Sequence, residues 1–250
     1  MKLGAAIQPL STNPAIGELT EFAKQLEALG YESLWVTQAV GRGFMLPDPL
    51  LILAAAAGAT SRPSLGTAIL QIPLYPPAYL AHLLLSLKHL AGKRMRIGVG
   101  PGSTAADFQV FEKEYETRFK CFSDNMDMVK QLISGQASGD VNLTPYENLR
   151  DEVTFYLGTW GKGIRRAAND FDGWIASAAN RDLDQLTNSL RQYRDEGGQH
   201  AIVSTIALTI DQSAEQHREK LEQFSEAGFD EAVVMFRPGG PSPEEVRRWL

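Results

Sequence analysis

The residues best suited to chemistry in this chain are glycines and their neighbours. Gly158-Thr159-Trp160-Gly161-Lys162-Gly163 lies between an apolar run and a helical pattern. Backbone N–H groups in such a turn can converge on a phosphate, the helix dipole favours the negative charge, and glycine lets a ligand approach. An ordinary glycine-rich turn has the same spacing, so both readings stay open on these residues alone. Gly98-Val99-Gly100-Pro101-Gly102 is similar, but Pro101 has no N–H to donate. Arg118 opens the helix that follows, either as a phosphate ligand or as a surface cation. Acid–base groups are sparse by comparison. His82, His89 and His217 fall within helical patterns, His200 stands at the start of a strand, and Cys121 is helical. Lys2 and Lys93 sit at strand entries instead of in strand interiors. These placements argue against a metal cluster, a Ser–His dyad and a Schiff-base lysine. A cofactor is therefore expected to carry the chemistry.

Short apolar runs alternate with helical patterns and would position these groups. Strands are expected at 3–7, 33–37, 65–70, 94–99, 153–157, 173–176, 201–208 and 231–236. Asn13-Pro14 and Asp48-Pro49 read as helix starts, with a capping residue before a first-turn proline. Further helices are expected at 78–90, 117–133, 164–168, 183–193 and 214–227, and Ser242-Pro243-Glu244-Glu245 opens a last one. Nearly continuous apolar strands are those of a buried parallel sheet. Strict βα alternation over eight units predicts the α/β class and a single (β/α)8 TIM barrel over residues 1–250. Leu29-Gly30-Tyr31-Glu32 and Ala227-Gly228-Phe229-Asp230 form a faint repeat, each joining a helix to a strand. The polar stretch 134–150 reads as a shortened, mobile insertion.

In such barrels the site lies in the loops after the strands. Those loops offer Gln38 and Arg42, then Gln71, then Gly98, Gly100 and Asp107, then Gly158–Gly161, then Ser177 and Asn180, and finally Arg237. The 250 residues are 44% hydrophobic with a net charge of −6, and no basic stripe suggests a nucleic-acid partner. One cysteine allows no internal disulfide and fits a reducing compartment. The longest apolar stretch, Leu50 to Ala59, is about half a membrane span, and the apolar run after Lys2 is too short for a signal-peptide core. A cytoplasmic protein with no membrane partner is expected.

An ordered set of segments carries a family resemblance. It comprises Leu29-Gly30-Tyr31-Glu32-Ser33-Leu34-Trp35-Val36, Asp48-Pro49-Leu50 with the alanine-rich helix to Thr60, and Leu65-Gly66-Thr67-Ala68-Ile69-Leu70-Gln71. Arg94-Met95-Arg96-Ile97-Gly98-Val99-Gly100, Leu157-Gly158-Thr159-Trp160-Gly161 and Asp172-Gly173-Trp174-Ile175 follow in order. With these segments the chain resembles the bacterial-luciferase-like flavin oxidoreductases. The resemblance implies a barrel holding reduced FMN or, as the alternative, the deazaflavin coenzyme. It places the ring near Thr67, Leu70 and Gln71, a non-prolyl cis peptide near 69–71, and phosphate contacts at Arg118 and Gly158–Gly161, with Ser177 bordering the pocket. Gly98 and Gly100 belong to the same strand ends. It implies a monooxygenase using O2, a small organic substrate and reduced flavin from a separate reductase. Deazaflavin-dependent hydride transfer, or a flavin-binding barrel without turnover, are the alternatives. It also implies a homodimer packed through the helices after the second and third strands.

The sequence departs from the family pattern at three places. Thr37-Gln38-Ala39 stands where many members carry Asp or His, and an amide cannot act as a base near neutral pH. Gln38 and Arg42 are then expected to orient substrate or a peroxide. Pro101 replaces a phosphate-binding arginine of some members, and the excursion at 134–150 is short.

Overall fold

A computed structural model describes residues 1–8, 18–44, 46–150, 153–179 and 181–249. Its strands are β1 (Lys2–Ala6), β2 (Ser33–Val36), β3 (Ser64–Gln71), β4 (Met95–Gly100), β5 (Thr154–Gly158), β6 (Gly173–Ser177), β7 (Ala201–Leu208) and β8 (Glu231–Phe236). Each pairs in parallel with its sequence neighbours, and β8 closes on β1. The helices are α1 (Glu18–Ala28), α2 (Pro49–Ala59), α3 (Pro77–Ala91), α4 (Ala105–Val110), α5 (Arg118–Ile133), α6 (Gly163–Asp170), α7 (Leu183–Asp195), α8 (Ala214–Ala227) and α9 (Pro243–Arg247). The closed (β/α)8 barrel expected from the alternation is therefore present. The helix start at Asn13-Pro14 and the loop residue Asn180 lie outside the described residues.

Successive strand residues face opposite ways, and this splits the apolar residues into two cores. Leu34, Val36, Phe155, Leu157, Trp174 and Ala176 pack in the layer shared with the helices. The alternating residues Trp35, Tyr156, Ile175, Ile202 and Val233 form a separate cluster inside the barrel. At the amino end of the lumen Glu231 is fully buried. Ser33 Oγ, Trp35 Nε1 (2.9 Å) and Arg96 Nη1 (3.0 Å) donate to its carboxylate. Such pairing is what allows a carboxylate to sit in a barrel core.

The faint repeat has a structural counterpart. Gly30 and Gly228 both take a positive φ (85° and 96°), and the next residue's N–H turns back to Leu26 or Phe224. The acid that follows then receives an N–H from the start of the preceding odd-numbered strand: Glu32 from Leu3 at 3.0 Å, Asp230 from Ala201 at 2.7 Å. Asp172 does the same for Phe155 at 2.7 Å. These acids brace the amino-terminal face and leave the opposite face to the loops. Helix α2 starts as expected, with Asp48 Oδ1 accepting from Leu50 and Leu51 N–H ahead of Pro49. The short helix α4 was not expected, because its six residues are too few to show a period. The stretch 134–150 carries one bridge, Ser138 with Val141, and a single 3-10 turn at Glu147–Leu149.

Two strands are irregular near their carboxyl ends. The β3–β4 register shifts between Thr67 and Leu70, and the Ala68–Ile69 peptide is cis and non-prolyl. The β7–β8 register shifts between Val203 and Ile206, where Thr205 has φ 62°.

Candidate active site at the barrel mouth

The β3 irregularity turns Ile69 into the lumen. Its side chain lies across the last residues of β4 and β5, both glycines. A Cβ on Gly100 would stand 2.6 Å from Ile69 Cδ1, and one on Gly158 2.6 Å from Ile69 Cγ2. Ala68 and Ile69 are half-buried and pack on the inner cluster. They form an apolar floor at the mouth. Thr67 and Leu70, expected beside a coenzyme ring, are fully buried. Thr67 Oγ1 donates to the Gly98 carbonyl at 2.7 Å, and Leu70 packs in the outer, helix-facing core. Gly98 lies deeper in the lumen, where Ile175 Cδ1 occupies the space of its missing side chain.

A buried polar network adjoins this floor. Asp107, on α4, is fully buried. Its carboxylate accepts from Val40 N (3.1 Å), Arg42 Nε (2.9 Å), Arg42 Nη2 and Gln71 Nε2 (2.7 Å). Burial pushes its pKa up, but the hydrogen bonds from Arg42, Gln71 and Val40 outweigh burial and hold it below the ordinary carboxylate value. Gln71 N–H donates to Gln38 Oε1 at 2.7 Å, and Gln38 Nε2 donates to Tyr75 Oη at 2.6 Å. Burial first, and then Asp48, push the Tyr75 phenol well up, so it stays protonated. Gln38 and Arg42, expected to orient substrate, are thus each tied to other loops. Gln71 Oε1 is buried with no donor. An acceptor left so costs about 1–3 kcal/mol, and it marks a place where a partner would be received.

Across the mouth is the turn after β5. Gly161 takes φ 55°, and the N–H groups of Gly163 and Ile164 bond back to Trp160 and Gly161. Thr159–Lys162 have N–H groups with no acceptor among the described residues. The Thr159 carbonyl accepts from Trp174 Nε1 at 2.9 Å, and Trp160 packs edge-on against the Trp174 ring. Arg181 lies over Trp160, 3.5 Å from the ring centroid, and burial pulls its pKa down. Arg118, at the start of α5, donates to the Tyr115 carbonyl at 3.0 Å and stacks on the Tyr115 ring. Ser177 ends β6, donates to Thr205 Oγ1 at 3.2 Å and receives Ala179 N–H at 3.3 Å. No group of three or more His, Cys, Asp or Glu that could hold a metal occurs among the described residues. None of their helices is long and apolar enough to cross a membrane.

An apolar floor, an orphan buried acceptor and a turn of unpaired N–H groups fit a planar coenzyme with a phosphate tail. Residues 2–241 match the model of the family described as luciferase-like monooxygenase. The chain belongs to this family. Among relatives of this luciferase-like chain is 4-hydroxyprotoasukamycin monooxygenase of Streptomyces nodosus subsp. asukaensis. It is 30% identical over 132 residues, covering 52% of this chain and 36% of that protein. The F420-dependent glucose-6-phosphate dehydrogenase of Kineococcus radiotolerans is 28% identical over 269 residues, 94% of this chain and 80% of that one. Among solved structures, an F420-dependent secondary alcohol dehydrogenase in complex with an F420-acetone adduct superposes with a TM-score of 0.76 at 16% identity. That match covers all of this chain and 98% of the other. The relatives include oxidoreductases of two kinds, monooxygenases and F420-dependent enzymes.

Sequence reasoning named Asp107 among the groups of the mouth loops without giving it a role, and it assigned no role to Ile69, Tyr75 or Arg181. For Asp107 a signal existed: an acid five residues past the glycine-rich loop, within reach of Arg42 once β2 and β4 are known to flank β3. Ile69 was marked only through the cis peptide that the family resemblance implied near 69–71, which the structure has at Ala68–Ile69, and through the glycines at 100 and 158 that make room for its side chain.

Proposed function

We propose that this chain is a flavin-dependent monooxygenase that takes reduced FMN and O2 to oxidise a small organic substrate. The observation that carries the reading is the state of the polar groups at the mouth. Gln38 is an amide engaged at both ends, and Asp107 is ion-paired and held ionised. Neither is free to take up a proton from a substrate alcohol. Reduced FMN, when bound, supplies the electrons that activate O2. The residues of this chain bind, orient and shield. Ala68 and Ile69 would carry the ring in place of Leu70, and Thr67 with Gly98 and Gly100 would keep the wall beneath it narrow. Gln71 Oε1 would accept a hydrogen bond from the ring edge. Thr159, Trp160 and Gly161 beside Gly158 would hold the phosphate with Arg118, while Ser177 borders the pocket. Gln38 and Arg42 act by holding the loop after β2, whose Ala39, Val40, Phe44 and Leu46 line an apolar cleft of about 370 Å³. That lining suits an apolar substrate.

The second reading, deazaflavin-dependent hydride transfer, is favoured by the 94% coverage of this chain in its match to an F420-dependent dehydrogenase. Titration separates the two readings. The protein is mixed with reduced FMN and with the deazaflavin coenzyme, and bound coenzyme is read from fluorescence and absorbance. Binding of FMN alone supports the monooxygenase. Preference for deazaflavin overturns it, and no binding of either overturns the coenzyme site. A separate reductase would supply the reduced flavin.

A homodimer is part of the proposal. Leu51, Tyr79 and Leu90 are more than half exposed on α2 and α3, and the exposed positions of these helices carry no acid. Together with the small Ala55 and Gly58 they present a face that a second copy could cover.

A further inference from the structure

We propose that Asp107 is the positioning residue of the coenzyme site, a buried carboxylate that fixes the Gln71 amide and seats the loop after β2. This inference rests on the flavin-type coenzyme reading above. Asp107 sits on α4, in the loop after β4, yet its bonds go to two other loops. Val40 and Arg42 belong to the loop after β2, and Gln71 ends β3. One side chain therefore ties together three consecutive loops at the face where a (β/α)8 barrel binds its ligand.

The geometry of Gln71 follows from that tie. Because a carboxylate accepts and cannot donate, Gln71 must present its NH2 to Asp107. Its Oε1 is then forced to the other side of the amide, where it has no donor. That oxygen lies 2.5 Å from the position a Cβ on Gly102 would take, and Gly102 has φ 84°. The oxygen is already screened from solvent, and a side chain at 102 would collide with it, so glycine is required for the loop to pass beside it. The backbone of Gln71 is held separately by Gln38, and Gln38 by Tyr75, whose hydroxyl stands 3.5 Å from Asp48 Oδ2. Every other polar side-chain atom in this chain of contacts that is fully buried has a partner; only Gln71 Oε1 lacks one. An isolated structural clamp would gain nothing from an orphan acceptor. An acceptor held ready for a coenzyme N–H accounts for it.

The test compares two buried carboxylates at opposite ends of the barrel. Asp107→Asn removes the charge at the mouth, and Glu231→Gln removes an equally buried, Arg96-paired charge at the amino end. Gln71→Leu removes the amide while leaving the clasp of Asp107 on Arg42 and Val40. For each variant, melting temperature without ligand and affinity for reduced FMN and for the deazaflavin coenzyme are measured. Asp107→Asn and Gln71→Leu are expected to weaken coenzyme binding roughly tenfold, the loss of about one hydrogen bond within a polar network. The double variant should bind no worse than the weaker single one. Glu231→Gln should lower the melting temperature and leave affinity unchanged. Affinity of Gln71→Leu within twofold of wild type, or losses in Asp107→Asn and Glu231→Gln that simply track their melting temperatures, would overturn the proposal. If Asp107→Asn does not fold, Gln71→Leu decides alone. A wild-type protein that binds neither coenzyme sinks the coenzyme reading itself, and with it this inference.

Discussion

Gly100→Ala is the sharpest probe of the barrel floor. The new methyl would start 2.6 Å from Ile69 Cδ1, 3.2 Å from the Gly158 carbonyl oxygen and 3.5 Å from Ile69 Cγ1. Only the first contact is severe, and it involves the tip of one side chain. Forcing that tip aside in a packed lumen costs about 1–3 kcal/mol. In a chain of this size each kcal/mol shifts Tm by about 2–4 °C. Ile69→Val deletes Cδ1 and nothing else, so it should relieve most of the strain while costing about 0.5–1.5 kcal/mol by itself. The double-mutant cycle is then expected to show a favourable coupling of about 1 kcal/mol or more between positions 69 and 100. Thermal and urea unfolding of the four proteins measure it. Coenzyme titration of the same set adds the functional half: Gly100→Ala should weaken binding because Ile69 is displaced, and Ile69→Val in the double variant should restore part of it. Equal cost of Gly100→Ala in both backgrounds would refute the placement of Ile69 across the strand ends.

Other outcomes are open to direct measurement. Arg118→Ala should weaken FMN binding at least several-fold more than riboflavin binding, because only FMN offers a phosphate; equal losses would remove Arg118 from the phosphate site. The pKa of Asp107 is lower folded than unfolded. Its contribution to stability is therefore present above the ordinary carboxylate range, about pH 4, and is lost as pH falls through the folded value. Acid unfolding of Asp107→Asn should accordingly be less steep than that of wild type below about pH 4. Leu51→Glu, on the exposed face of α2, should halve the sedimenting mass if the α2–α3 face is a dimer interface, and leave the melting curve of the resulting monomer cooperative. Oxygen uptake by protein with reduced FMN should couple to product with an apolar substrate; peroxide release with every substrate tried would favour a barrel that binds flavin without turnover.

Much of the scaffold was legible because its determinants are local. Nearly continuous apolar runs such as 201–208 and 231–236 have the observed strand bounds, and Asp48-Pro49 starts its helix as its residue types require. The site was less legible because its determinants are not local. Ala68 and Ile69 are ordinary strand residues; what turns Ile69 inward is the register shift between β3 and β4, and the space that receives it comes from Gly100 and Gly158 on two other strands. The family resemblance placed the ring near Leu70, and in the structure Leu70 is fully buried in the larger core cluster beyond the register shift. The same holds for Arg42. Its spacing after β2 marks it as a mouth residue, but its partner is 65 positions away.

The way the mouth spends its polar groups bears on mechanism more than their number does. Asp107, Arg42, Gln38, Gln71 and Tyr75 are five chemically capable side chains within one network, and each is already committed to another. Catalysis by a side chain needs a group whose protonation can change near the working pH. Here the ion pair holds Asp107 ionised and burial holds Tyr75 protonated, so both are driven away from that range. A network built in this way is suited to fixing distances. Fixed distances matter when the reactive centre is brought in by a bound molecule, since a shift of about 1 Å at the reacting atoms can cost a hundredfold in rate. The floor of Ala68 and Ile69 and the tethered loops around it therefore fit the coenzyme reading proposed above: the barrel has little titratable chemistry free at its mouth, and the rigid positioning it keeps is what a bound coenzyme would need.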